Sequence, residues 1–262
     1  MANEALIRLA IFLTLFALFA TLEALAPRRR RVLPRGRRWF TNLSITVLNT
    51  LALRALSVAL PFLAVGAAVD AWSMGWGLLN QVVWPLWVEI AVAVLVLDFA
   101  IWAQHLITHK VPLFWRFHRM HHADRDMDVT TALRFHPVEI LASMGLKIGV
   151  VYALGPQAVA VVLFEVLLNG TALFNHSNLR LPLWLDRLLR LILVTPDMHR
   201  VHHSMDRPEH DRNYGFALSV WDRIFRTYLA QPGAGHDAMV VGLQWQDEKP
   251  AKLGWSLWLP FR

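Results

Sequence analysis

The chain is predicted to be an all-α integral membrane helical bundle carrying a histidine-lined helical cap on its cytoplasmic side. Three observations predict this. Hydrophobic residues make up 56% of the 262 residues, above the ~45–50% of ordinary soluble domains, and the excess is gathered in long runs. Seven arginines, Arg28, Arg29, Arg30, Arg31, Arg35, Arg37 and Arg38, sit directly between the first two runs. All twelve histidines fall outside the apolar runs.

Taken in order, Leu6 to Ala26 is apolar apart from Arg8, Thr14, Thr21 and Glu23. It is about as long as the ~20 helical residues that cross a bilayer core. A cleaved signal peptide fits poorly, because the positive charge follows this run instead of preceding it. The arginine cluster reads as a cytoplasmic loop under the positive-inside rule. The formal net charge of +7 is therefore a matter of topology, and no nucleic-acid partner is expected. A second run, 43–69, is expected to span, interrupted by Arg54 and kinked at Pro61. Trp72 and Trp76 then suit an interfacial turn. The third run goes from Val82 to about Ala103 and carries Glu89 and Asp98.

A polar segment, 105–136, comes next. Val138 to Leu154 and Gln157 to Phe174 are two short apolar arms around the turn Gly155-Pro156. They read as a hairpin that dips into or across the membrane. Leu181 to Val194 has its leucines on one face and Asp186, Arg187 and Arg190 on another, as suits a helix along the membrane surface. With the arginine loop inside, the segments 105–136, 175–181 and 195–262 all emerge on the cytoplasmic side. Every histidine lies in one of them.

Spacing makes the histidines chemical. His105 and His109 form H-x-x-x-H; His118, His121 and His122 form H-x-x-H-H; His199, His202 and His203 repeat it. On a helix, positions i, i+3 and i+4 share a face, so each motif is expected to offer its imidazoles to a single point. Eight converging imidazoles exceed what one ion takes and suit two. His136 and His176 lie beside the motifs as further candidate ligands, whereas His210 and His236 read as ordinary surface residues. Candidates to orient the imidazoles are Asp98, Asp128, Arg134, Asn175, Asp197, Asn213 and Asp222, with Arg134 suited to a nearby carboxylate or a lipid phosphate. There is no H-E-x-x-H zinc-protease motif. The absence of cysteine excludes a thiolate-held metal or cluster on this chain.

The three motifs between apolar runs resemble the fatty-acid hydroxylase and sterol desaturase superfamily. Leu113-Phe-Trp-Arg-Phe-His, Arg134-Phe-His-Pro, Asn175-His-Ser-Asn, Thr195-Pro-Asp-Met-His-Arg-Val-His-His, Asn213-Tyr-Gly and Trp221-Asp-Arg-Ile-Phe support the resemblance over about residues 98–228. Arg226 stands where the family usually has a glycine. The resemblance implies two iron ions, O2 as co-substrate and a lipid that is hydroxylated or desaturated. It also implies a division into N-terminal membrane helices (1–81), a catalytic domain (82–230) and a C-terminal tail (231–262). With no cysteine cluster and no dinucleotide fingerprint, electrons are expected from a separate cytochrome or ferredoxin with its reductase. The membrane is expected to be a bacterial inner membrane or one of endoplasmic-reticulum type. A divalent-metal transporter would place its ligands near mid-bilayer, and a metal-stabilised scaffold would close its coordination shell; these are the competing readings.

Overall fold

The computed structural model describes residues 4–59 and 63–262, and among these there is no β-strand, only isolated bridges. The expected kink at Pro61 lies outside the described residues. The long helices are α1 (Glu4–Leu25), α2 (Arg35–Ala59), α3 (Ala64–Ser73), α4 (Leu86–Lys110), α5 (Pro112–His122), α6 (Pro137–Leu154) and α7 (Ala158–His176). Two short ones follow, α8 (Leu183–Leu189) and α9 (Pro196–His202).

Four of the described helices, α1, α4, α6 and α7, are long and apolar enough to cross a membrane. The second run departs from expectation. It does not form one span over 43–69: α2 begins earlier, in the arginine cluster, and α3 is a separate helix. Arg35, Arg37, Arg38, Asn42, Asn49 and Arg54 make α2 too polar to join the four. It packs along α6 and turns Arg38, Asn42 and Asn49 inward, while Arg37 and Arg54 stay exposed.

The ends of the helices decide where the histidines go. The chain leaving α1 pairs with the chain leaving α7, Arg28 N–H donating to the Asn178 carbonyl at 2.8 Å. Arg38 near the start of α2 meets Asp124 and Asp128 just after α5. Thus α1, α4 and α7 finish at one end of the bundle, and α2 and α6 begin there. At the other end the turn after α3 crosses the turn between α6 and α7. Gly77 and Gly155 both have positive φ, and a Cβ on Gly77 would lie 2.3 Å from the Gly155 nitrogen. Only glycine permits that approach.

Helix boundaries follow local chemistry. Proline stands at the first turn of α5, α6 and α9, where its missing N–H costs nothing. Thr195 caps α9, its hydroxyl accepting from Met198 N–H. In α8 and the residues after it, Leu183, Trp184, Leu188, Leu191 and Ile192 are exposed, while Asp186 and Arg190 are buried and paired at 2.8 Å. That inside-out pattern suits contact with lipid.

The arginine loop also has structural partners. Arg31 and Arg35 reach the fully buried Glu23, whose carboxylate accepts from Val129 and Asn178 N–H. Residues 231–262 fold back onto the bundle: Trp245 and Trp255 meet edge to face at 5.3 Å, and Leu259 is fully buried beside Met120. Trp258 remains exposed.

Candidate metal centre

Among the described residues, two all-histidine groups can each hold a metal ion, and a smaller third, His109, His210 and Asp211, shares His109 with the first. The first is His105, His109, His118, His122 and His202; the second is His121, His176, His199 and His203. Within each group one nitrogen per ring lies within 4.8 Å of all the others. The motifs do not each serve one point, as spacing alone suggested. Of the α5 motif, His118 and His122 join the first group and His121 the second. In the α9 motif, His199 and His203 join the second and His202 the first. Residues adjacent on a helix are about 100° apart around its axis. A helix wedged between two sites therefore sends neighbouring histidines to opposite sides.

Hydrogen bonds fix which ring nitrogen carries the proton. His105 Nδ1 donates to the Tyr214 carbonyl at 2.7 Å, and His202 Nδ1 to the Arg212 carbonyl at 2.7 Å. His118 Nδ1 donates to Glu139 Oε1 at 2.6 Å. Their Nε2 atoms are thus lone pairs, yet His105 Nε2 lies 3.1 Å from that of His118 and 2.9 Å from that of His202. In the second group, His176 Nδ1 donates to the Ala172 carbonyl at 2.8 Å. Its Nε2 sits 3.1 Å from that of His121 and 3.0 Å from that of His199. Neither buried nitrogen of His203 has a hydrogen-bond partner among the described residues. Lone pairs facing one another without a proton to share repel, and a cation between them removes the repulsion. The residues therefore fit metal.

The charge state agrees. Burial, followed by neighbouring imidazoles, holds His121, His122, His199, His202 and His203 well below the ordinary histidine pKa. They are neutral near pH 7 and available as ligands.

The remaining expected residues fall in several places. His136 joins neither group: it caps α6, its Nδ1 accepting from Val138 N–H, and its Nε2 faces the Leu257 carbonyl at 3.3 Å. Among the described residues, Asp98 and Asn213 hydrogen-bond to no histidine. Asp98 accepts from Trp221 Nε1 and Leu218 N–H, while Asn213, at φ 54°, donates to the Met198 and Leu229 carbonyls. With Asp222, which accepts from Tyr214 and Gly215 N–H, they shape the loop whose carbonyls hold His105 and His202. Asn175 donates to the carbonyl of Phe216, whose ring faces His105 at 4.9 Å. Asp197 pairs with Arg28 and Arg200, and Asp128 with Arg38 at 2.6 Å.

Arg134 is a correction. Among the described residues it hydrogen-bonds to no carboxylate; it is buried and donates to the Met120 and Pro250 carbonyls, Asn42 Oδ1 and Ser256 Oγ. It locks the C-terminal segment onto α5. His210 and His236 are not surface residues either; both are buried. The His210 ring stacks on Trp115 at 5.4 Å, and His236 lies 3.7 Å from Asp197.

Glu139 was missed by sequence reasoning. The available sign was a carboxylate in the first turn of a helix opened by a histidine-proline pair, but only folding brings it to His118. A carboxylate on the far side of a ligating imidazole orients the ring and raises its basicity. Glu139→Gln is expected to weaken metal retention roughly 10–100-fold, measured by dialysis against a graded chelator. Unchanged retention would leave Glu139 only a helix-start residue.

A cavity of about 550 Å³ reaches this centre from within the bundle. His105, His118 and Glu139 line one end of it, with Ile101, Met144 and Phe216 among its apolar walls.

The family model described as fatty acid hydroxylase matches residues 90–227, a span containing both histidine groups. An ornithine lipid hydroxylase of Rhizobium tropici is 28% identical over 149 residues, 57% of this chain and 44% of that protein. An alkylglycerol monooxygenase of Homo sapiens is 32% identical over 156 residues, 58% of this chain and 32% of the relative. A fatty acid hydroxylase of a Lecanicillium species is 28% identical over 159 residues, 55% and 43% respectively. The aligned region covers less than half of each relative. No solved structure matches the chain.

Proposed function

The chain belongs to the fatty acid hydroxylase family, and from that premise we propose that it is a membrane-bound non-haem di-iron oxygenase that hydroxylates or desaturates a lipid. The observation that carries this reading is the pair of adjacent groups of buried imidazoles, the first of which borders a cavity inside the bundle. The first group would hold one iron and the second the other. When bound, iron supplies the redox chemistry with O2 that side chains lack.

The protein's own part is positional. Carbonyls of Tyr214, Arg212 and Ala172 fix the imidazoles that face each ion. Glu139 steadies His118. Apolar walls from α2, α4, α6 and α7 hold a hydrocarbon segment against the His105 and His118 end and exclude water. A transporter is disfavoured because the histidines gather at one end of the bundle, not mid-span. A purely structural metal site is disfavoured because a cavity opens onto two of the ligand candidates.

Electrons would come from a separate cytochrome or ferredoxin with its reductase. Support comes from a second cavity of about 430 Å³ on the histidine side, lined by Lys110, Arg119, Arg207 and Trp115 and reaching His109. Its three cations outnumber the one carboxylate on its wall, Asp211, which pairs with Lys110 and Arg207, and the excess suits an acidic partner. The histidine end would face the cytoplasm, since the arginine loop lies there. Tags inserted at residue 33 and at the C-terminus are expected to be shielded from externally added protease in right-side-out vesicles; cleavage of one alone would refute this orientation.

The function is tested by elemental analysis of the purified protein, followed by a lipid screen under O2 with a reducing system. About two irons per chain and an oxygen-dependent mass gain or desaturation are expected. A protein that binds no metal even after iron reconstitution would overturn the reading.

A further inference from the structure

The cavity that begins at His105 and His118 ends at a charged cluster for which the metal chemistry has no use. Along α6, Glu139, Ser143 and Lys147 recur every fourth residue and all line this cavity, so they form one stripe on one helix face. Lys147 donates to Glu165 Oε1 on α7 at 2.8 Å, and Arg8 on α1 binds the other oxygen of the same carboxylate. Lys147 and Glu165 are 11% and 8% exposed.

Ionised side chains within membrane helices are costly and usually face a functional cavity. These do: Arg8 and Lys147 both reach Glu165 on the cavity wall, and Arg8 also meets Glu4, outside the lining, at 3.2 Å. Among the described residues the Lys147 ammonium, which has three N–H donors, hydrogen-bonds to Glu165 alone. A pair serving only to join helices would need no cavity beside it.

We propose that Lys147, Arg8 and Glu165 form a head-group subsite that takes an anionic oxygen head, a carboxylate or a phosphate ester, of a lipid with one chain in the cavity. Lys147 lies eight residues from Glu139, about 12 Å along α6. The head at the cluster and the chain toward the histidines would put the reacting carbon about that far from the head. The volume of about 550 Å³ lies within the ~300–1,000 Å³ range of pockets for compact ligands. It accommodates one chain with its head, not a whole two-chain lipid. The distance to the reacting carbon rests on the oxygenase reading; head binding does not.

The test is binding to the full-length protein in nanodiscs, with no reductant and no turnover. The probes are dodecanoate, dodecyl phosphate and dodecan-1-ol, which share one chain length, and the readout is NMR titration of the labelled head. Lys147→Met is expected to weaken both anions, or whichever of them binds wild type, about tenfold or more, the worth of one charge-assisted hydrogen bond. The alcohol should change less than about twofold. Lys147→Arg should restore most of the loss, and Glu165→Gln should tighten anion binding by removing the competing carboxylate. Binding of only one anion to wild type identifies the head and supports the subsite. Equal loss of the alcohol, or unchanged anion binding in Lys147→Met, overturns it. Because no metal chemistry is read, that failure would leave the oxygenase proposal standing, and absence of iron would leave this one standing.

Discussion

His202→Ala is expected to lose metal from the first imidazole group and to lower lipid oxidation by more than about 100-fold, while the protein stays folded in the membrane. His202 Nε2 lies 2.9 Å from His105 Nε2, and its ring is held by the Arg212 carbonyl. Of the α9 histidines it is the one in the first group. Loss of an imidazole-orienting neighbour alone typically costs ~10–100-fold, so loss of the imidazole itself should exceed it. His121→Ala is the matching change in the second group, where its ring stacks on Phe135 at 4.3 Å. Each variant should drop about one metal per chain by elemental analysis, and each should lose activity if the two groups act as one centre. Full oxidation in either would show that the groups are not a shared site. Gain of a little stability without metal would be no surprise, since each change removes one of the crowded lone pairs.

The second large effect concerns stability. Arg38 is buried, donating to both oxygens of Asp124 at 2.7 Å, to Asp128 at 2.6 Å and to the Asp126 carbonyl. Burial alone would push the Asp124 carboxyl up, but the guanidinium reverses this and holds it well below the usual carboxylate range. Arg38→Met leaves two carboxylates buried without their cation. Breaking a buried pair in this way costs ~3–5 kcal/mol, enough to expose the segment that follows the α5 histidines. The expected result is a much lower unfolding temperature, and largely restored stability when Asp124→Asn and Asp128→Asn are added. A single mutant as stable as wild type would mean the cluster contributes no net stabilisation. The pH dependence has a defined sign. A depressed carboxylate stabilises fully above its unfolded pKa, ~4, and the contribution fades as pH falls toward the folded value.

Much of the architecture was legible because it is local. The run expected over Val82 to about Ala103 must be helical to cross a bilayer and forms the longer α4, Leu86–Lys110, while the ends of α6 are written in Pro137 and Gly155. The gathering of the histidines was legible in part: they fall outside the apolar runs, but His105, His109 and His176 lie in the last turns of α4 and α7, which continue past those runs. Residue 43–69 was less so. Its apolar composition reads as one span, but the helix that forms starts eight residues earlier, in the arginine cluster. Those arginines find carboxylates from the 123–133 segment and from Glu23, which are distant in sequence.

What the sequence determined by itself is therefore the class of the molecule: an all-α membrane bundle, histidine motifs at helical spacing, and a family resemblance carried by those motifs. What tertiary structure alone decided is how the histidines are shared. His118 and His122 went one way and His121 the other, because a helix between two sites offers each a different face. Glu139 became a partner of His118, and Arg134 a lock for the C-terminal segment, because their partners come from other elements. The physical reason is the same throughout. Periodicity fixes the angle at which a side chain leaves its own helix, but which neighbour it meets depends on how the helices are docked.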